Sequence, residues 1–483
     1  MSVGSINLTM IQAILPEILL LVLGLLVLTF DLTLSEKSRG ALGWITAGGL
    51  ALIIGVVMLF GRPGAQPELV WGGMLRLDWL GFTFTILFMF AAMITALLSV
   101  DLPEVGNRGE YYLLMLVSTM GMCLMASSAD LIMLYLAIET TSIPLYILAG
   151  FLTRDDKSTE SGFKYLLFGA MTSAVMLYGF SLLYGYAGTT NIYGIAAGVQ
   201  QGQLPPATLF GSLLLVLVGF GFKISVVPLH FWAPDVYEGS PTPIAGFLST
   251  ASKAAGFAVL LRFLLAVYPS FTPQWSMFIA ILAVITMTLG NLLALTQKNI
   301  KRMLAYSSIA HAGYILIGLV AVTELGMTSV IFYLIAYLFT NLAAFGVVAA
   351  YGRLVGSDEI SAYAGLSRRN PGLALILMIS FLSLAGMPPF AGFVVKFGVF
   401  AAAMQAGMIW LAVIGVLNSI IGLYYYLTVL KVVYLYRSED EQPLPLTRSL
   451  VLALGVLTVG VIVMGVIFGP LFAISSRAAA AIF

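Results

Sequence analysis

The sequence predicts an all-α polytopic membrane protein of about fourteen transmembrane helices, and three observations carry that reading. Of 483 residues, 60% are hydrophobic and only 9% are charged, whereas soluble domains carry roughly 25% charged residues. The apolar residues arrive in blocks long enough for the roughly 20 residues that cross a ~30 Å hydrocarbon core as a helix. The short loops between those blocks carry a one-sided distribution of lysine and arginine. A net charge of +1 without a basic cluster argues against nucleic-acid binding. The single cysteine, Cys123, excludes an internal disulfide, a four-cysteine iron–sulfur cluster and a zinc ribbon, and two histidines cannot build a three-histidine metal centre.

The predicted spans fall near 11–30, 41–60, 79–100, 111–128, 130–151, 162–186, 208–228, 242–268, 275–295, 302–322, 327–352, 371–390, 408–435 and 449–474. A further apolar stretch, 391–407, follows the twelfth. The first span lacks a basic leading region and a small-residue cleavage site, so it reads as a retained anchor. The odd-numbered connections hold thirteen lysines and arginines, among them Lys37, Arg108, Lys157, Arg302 and Arg437. The opposite side has three: Arg62, Arg76 and Arg477. Because basic loops stay in the cytoplasm, both termini are expected outside. A miscounted span would exchange the sides of every later loop and erase the bias.

Two spans are interrupted. The seventh ends Phe220-Gly-Phe-Lys223-Ile-Ser-Val-Val-Pro228-Leu-His230, and the twelfth reads Ser383-Leu-Ala-Gly386-Met-Pro388-Pro389-Phe-Ala-Gly392-Phe393. Proline removes an amide donor and clashes with the preceding turn, and freed carbonyls in lipid need partners from protein or water. A kink is the simplest reading, but the double proline between two glycines goes beyond what a kink requires, so a broken helix is expected there. Broken helices in two halves of a chain raise the question of an internal repeat. Residues 137–150 and 305–318 match at five of fourteen positions at an offset of 168, yet that offset does not superpose Lys223 on Lys396.

Buried charges are the functional candidates, since one at the bilayer centre costs about 2.5–3.5 kcal/mol on insertion scales. Glu139 lies about ten residues into the fifth span, where a structural ion pair between helices is the alternative to a working role. Lys223 lies deep in its span five residues before Pro228, and Lys253 sits among small residues in Ser249-Thr-Ala-Ser-Lys253-Ala-Ala-Gly256. Lys396 follows the double-proline break by seven residues. Lys164 is near a span end and could snorkel. Arg262 cannot give up its proton. His311 titrates near neutrality in its ordinary state, although most buried histidines are simply satisfied core residues. A lysine deprived of water holds its proton less firmly, and a nearby carboxylate restores the grip. Glu139 near Lys223, followed by Lys253 and Lys396, would thus make a lateral proton relay bridged by water.

The run Lys223-Ile-Ser-Val-Val-Pro-Leu-His230-Phe-Trp-Ala-Pro-Asp235-Val-Tyr-Glu238-Gly-Ser-Pro-Thr-Pro243 is long and unusual. With Ser383–Lys396, Leu417-Asn418-Ser419 and the tyrosines 424–426, it resembles the antiporter-like membrane subunits of proton-translocating NADH:quinone oxidoreductase, respiratory complex I. The Ala-Pro-Asp-Val-Tyr-Glu-Gly wording, the tyrosines and the length favour the subunit N branch. The resemblance covers essentially the whole chain. It implies one domain over 1–483, with inverted five-helix repeats at 110–268 and 275–436, broken helices 7 and 12, and flanking helices at 1–100 and 449–483. It implies a switchable pair of Glu139 with Lys223, a central Lys253 and an exit-side Lys396. Lys164, His230 and His311 occupy places where the family often has polar residues.

The same resemblance implies outward proton transport in a bacterial plasma membrane, coupled to electron transfer from NADH to quinone in other subunits. No cofactor is expected on this chain; NADH, FMN, iron–sulfur clusters and quinone belong to the rest of the complex. Expected partners are sister antiporter-like subunits, the small membrane subunits toward the quinone arm, and lipid. A cation/proton antiporter subunit would use the same buried groups. A purely structural or quinone-site membrane subunit would not need them.

Overall fold

The computed structural model describes residues 7–202, 204–438, 440 and 442–482. Among them, thirteen helices are long and apolar enough to cross a membrane, and two shorter apolar helices, Pro371–Ala385 and Ala391–Gln405, occupy the twelfth predicted span and the stretch after it. The helices Thr242–Val267, Ile300–Val320 and Glu324–Val355 are buried along almost their whole apolar length, whereas Leu8–Thr33 and Asp156–Ala187 bury about a third. The first three therefore form the centre of the bundle. Helix Ile300–Val320 suits that place because its Ala, Ser and Gly residues let neighbouring backbones approach.

Three elements depart from the expected pattern. The loop after the second span folds into a hairpin of β1 (Glu68–Val70) and β2 (Leu75–Leu77), so the chain is not purely helical. Gly72 and Gly73 take left-handed angles at its turn. A short helix, Ile192–Gln200, follows the sixth span, capped by the Asn191 side chain. The last predicted span, 449–474, is two helices, Arg448–Val466 and Gly469–Ala480.

Both interruptions break their helices. Pro206–Ile224 stops at Ser225, whose φ of 59° is left-handed, and the chain becomes helical again at Trp232. The Trp232 indole donates to the Phe222 carbonyl at 3.2 Å, and the Val227 amide donates to Thr286 Oγ1 at 3.2 Å. Pro371–Ala385 stops at Gly386, with φ 90°. Helix Ala391–Gln405 then starts so close to it that a Cβ on Gly392 would overlap the Ser383 carbonyl. The Gly392 amide donates to Ser383 Oγ at 3.0 Å. The polar groups freed by the breaks are thus met by protein, as a hydrocarbon surrounding demands.

Two stretches of chain also correspond. Helices Asp156–Ala187 and Glu324–Val355 are each 32 residues long and end at left-handed Gly188 and Gly356. Each is preceded by a helix whose first amides are capped by a side chain, Asp130 before Leu131–Ala149 and Asn299 before Ile300–Val320. Asp130 and Asn299 in turn form isolated bridges to Asn191 and Glu359.

The loop charges predict which faces are shared. Lys37 and Gln66 are exposed on successive loops, and the sole native cysteine of this chain, Cys123, is buried. Cysteine placed at Lys37 should react with a membrane-impermeant thiol reagent only from the cytoplasmic side, and at Gln66 only from the other. Labelling of both from one side would contradict the topology.

Candidate functional site

Glu139 and Ser142 lie one turn apart on Leu131–Ala149 and so share a face. The Lys223 ammonium, in the last turn of Pro206–Ile224, donates to Ser142 Oγ at 2.8 Å. Its position at a helix C-terminus suits a cation. Glu139 accepts a hydrogen bond from Ser173 on Asp156–Ala187. Glu139 and Lys223, expected near each other as a switchable pair, line one cavity of about 20 Å³ with Ser142 and Ser173 and are not in direct contact. That is room for one water. Lys223 is only 5% exposed, while Glu139 is half-buried on the outer surface of the bundle.

Lys253 follows a π-helical turn, Leu248–Ser252, within its span, a distortion frequent at functional sites. Its ammonium donates to the Ser308 carbonyl at 2.9 Å and to the Ser308 hydroxyl. Three residues on along Ile300–Val320 comes His311, whose Nδ1 is 2.7 Å from the Tyr333 hydroxyl. Three further comes Tyr314, and Lys396 lies over its ring at 4.6 Å. Lys396 also donates to the Ala385 carbonyl at 3.1 Å, the terminal carbonyl of the broken helix. Spacings of three keep Ser308, His311 and Tyr314 on one side of the helix, so a polar ladder runs between Lys253 and Lys396. Lys253 and Lys396 are 3% and 5% exposed. Among the described residues, none of the three lysines has a carboxylate within ion-pair distance.

His230 sits in the first break, buried, with its Nδ1 unpartnered. Lys164 lies elsewhere. It is a third exposed and pairs with Asp235 at 2.5 Å and Glu160 at 2.6 Å. Arg302 joins the same network through Asp235 at 2.7 Å and Glu238 at 2.9 Å, and Lys157 binds Glu238 at 2.7 Å. Arg262 makes a two-pronged pair with Asp78 at 2.7 and 2.9 Å. Sequence reasoning passed over Ser142, Ser173, Ser308 and Tyr314, although Ser142 and Ser308 each stand three residues from a group it had singled out.

A family model described as NADH:quinone oxidoreductase/Mrp antiporter, TM, matches residues 128–422, which include the seventh-span and twelfth-span breaks. Over 458 residues the chain is 45% identical to the NADH-quinone oxidoreductase subunit N of Moorella thermoacetica, covering 94% of this chain and 95% of that one. The chain belongs to the NADH-quinone oxidoreductase subunit N family. A solved relative of the subunit N family's fold is a chain of respiratory complex I from Thermus thermophilus, 34% identical with a TM-score of 0.79. It covers 95% of this chain, and 98% of that chain is covered. A chain of the Mrp complex from a Dietzia species has a TM-score of 0.83 at 21% identity, with 98% and 97% covered; at that identity the likeness is one of fold alone.

The charged network around Asp235 and Glu238 has a defined pH response. Burial alone would raise both carboxyls, but hydrogen bonds from Lys164 and Arg302 to Asp235, and from Lys157 and Arg302 to Glu238, outweigh it and hold both below their ordinary values of 3.8 and 4.5. A carboxyl that binds protons less readily folded than unfolded contributes stability that is complete above its unfolded pKa and is lost as pH falls through the folded one. Amide protection in Trp232–Gly239 should therefore stay constant through the neutral range and decline only in acid below those values. A decline on raising pH through neutrality would contradict the assignment.

Proposed function

We propose that this chain moves protons across the membrane through Glu139, Lys223, Lys253, His311 and Lys396, with Ser142, Ser308 and Tyr314 as their neutral partners. As a member of the subunit N family it is a proton-translocating membrane subunit of NADH-quinone oxidoreductase; the proposal concerns which groups do the work. The observation that carries it is the environment of the three lysines. Each is sequestered from water and held by hydroxyl, carbonyl or ring rather than by a carboxylate. A fixed carboxylate would lock each ammonium in its charged form. The Ser142 and Ser308 hydroxyls accept from an ammonium and can donate to a neutral amine, so Lys223 and Lys253 are accommodated in either protonation state. At Lys396 the Ala385 carbonyl accepts an N–H of either form.

In this reading, Glu139 approaches Lys223 across the small shared cavity and stabilises its charged form; when Glu139 turns to Ser173, Lys223 releases its proton toward Lys253. The Ser308–His311–Tyr314 ladder then leads to Lys396. Conformational or electrostatic changes in neighbouring subunits, which hold the flavin, clusters and quinone site, supply the drive. The half-buried Glu139 is flanked by Ile132, Leu136, Ile143 and Ile147, each at least half exposed. A carboxylate at that depth against lipid would be costly, so a neighbouring membrane subunit covers this face. The paired helices of 32 residues and their capped predecessors support two repeats, 110–268 and 275–436, and the loop charges support both termini outside in a bacterial plasma membrane. His230 is a side branch near the first break. Lys164 holds the cytoplasmic network together and is outside the relay.

Lys223→Ala and Lys253→Ala should each slow outward proton transport by about 10²-fold or more, the usual contribution of a positioned proton-transfer group. The complex should still assemble on native gels. Proton release measured in vesicles during NADH oxidation tests this, and wild-type pumping by both variants would refute the relay.

A further inference from the structure

A buried carboxylate outside the relay occupies the first helix. Glu17 lies nine residues into Leu8–Thr33, a depth of roughly 14 Å along the axis, and is 8% exposed. Its Oε2 has no hydrogen-bond partner. Pro16 precedes it inside the helix and brings no N–H to the Gln12 carbonyl one turn earlier. Gln12, Glu17, Arg76, Asp78, Thr85 and Ser127 are the polar residues lining a cavity of about 30 Å³, large enough for one water. Asp78 also borders an open cavity of about 520 Å³ walled by Pro63, Gly64, Trp79 and Arg477. Asp78 therefore stands between a vestibule on the hairpin face of the membrane and an inner chamber that ends on Glu17.

The charges around that chamber do not balance without Glu17. Two guanidiniums, Arg262 at 2.7 Å and Arg76 at 3.3 Å, share the single Asp78 carboxylate. The neighbouring Tyr193 hydroxyl accepts hydrogen bonds from both arginines. Of the elements packed on Leu8–Thr33, Gly109–Ser127 presents the buried Cys123 toward Glu17 and carries Glu110, Tyr111 and Tyr112 in its first turn. β2 presents Arg76, β1 carries the exposed Glu68, and Ala41–Phe60 has no titratable residue. An ionised Glu17 would offset the excess positive charge, and a proton on its unpartnered Oε2 could pass only to a water in the chamber that it lines.

We propose that Glu17 is a second proton-binding site, in contact with the aqueous phase on the hairpin face through one water held against the Arg76–Asp78–Arg262 cluster. This goes beyond the lysine relay and does not depend on it. The assembled complex in membrane vesicles tests it by infrared difference spectroscopy after a pH jump applied to one face, with the Gln66→Cys labelling pattern fixing independently which face carries the hairpin. A carboxyl band that responds to the hairpin face and is lost in Glu17→Gln, but kept at a shifted frequency in Glu17→Asp, is the expected result. Gly81→Ala provides a variant that leaves the carboxyl in place. Its added methyl would meet Asp78 Oδ1 at 3.4 Å, an ordinary contact, and by crowding the chamber it should slow the band's response. Absence of any Glu17-dependent band, or a band that answers only to the opposite face, would overturn the proposal whatever becomes of the relay.

Discussion

Hydrocarbon offers no hydrogen bonds, and everything distinctive in this structure follows from how the chain meets that constraint where its helices break. An unbroken span satisfies its own backbone. Pro206–Ile224 and Pro371–Ala385 cannot, because each ends in mid-bundle at a left-handed residue. At the first break the Trp232 indole takes up the Phe222 carbonyl. At the second, the donor to the Ala385 carbonyl is the Lys396 ammonium itself. The backbone's need and the lysine's need are met by one contact, which explains how a charge-bearing side chain remains so far from water.

The same economy appears at Lys253, whose ammonium takes both the carbonyl and the hydroxyl of Ser308. Neutral partners of this kind bring no opposite charge to the ammonium. A buried ion pair behaves differently: Arg262 and Asp78 are locked by two charge-assisted hydrogen bonds. Breaking such a pair typically costs about 3–5 kcal/mol because it strands a charge. The protein thus separates two kinds of buried charge. Arginine meets carboxylate on the hairpin side, and lysine meets serine, carbonyl and tyrosine ring along the centre.

Much of this was legible in the sequence, because hydrophobic block length and loop charge are local signals. The spans, the two breaks and the deep positions of Lys223, Lys253 and Lys396 follow from them. Partners were harder, because they are set by packing between distant segments. The sequence places Glu139 near Lys223, but not the groups that hold them: Ser142 takes the lysine and Ser173 the carboxylate, and serines in a membrane helix have no periodicity that marks them. Asp78 and Arg262 are 184 positions apart, so nothing local in the sequence marks them as partners. The hairpin was missed because its strands have three residues each, too short for an alternating pattern. The split of the last span at Ile467 and Phe468 escaped notice because both residues are as apolar as their neighbours.

The central claim is that Lys223, Lys253 and Lys396 exchange protons with one another through the middle of the membrane. A structure of the parent complex at a resolution that shows internal water tests this most directly. The account predicts ordered waters from the Glu139 cavity past Lys223 to Lys253, and along His311 and Tyr314 to Lys396. Dry apolar packing between any two of these lysines would contradict it.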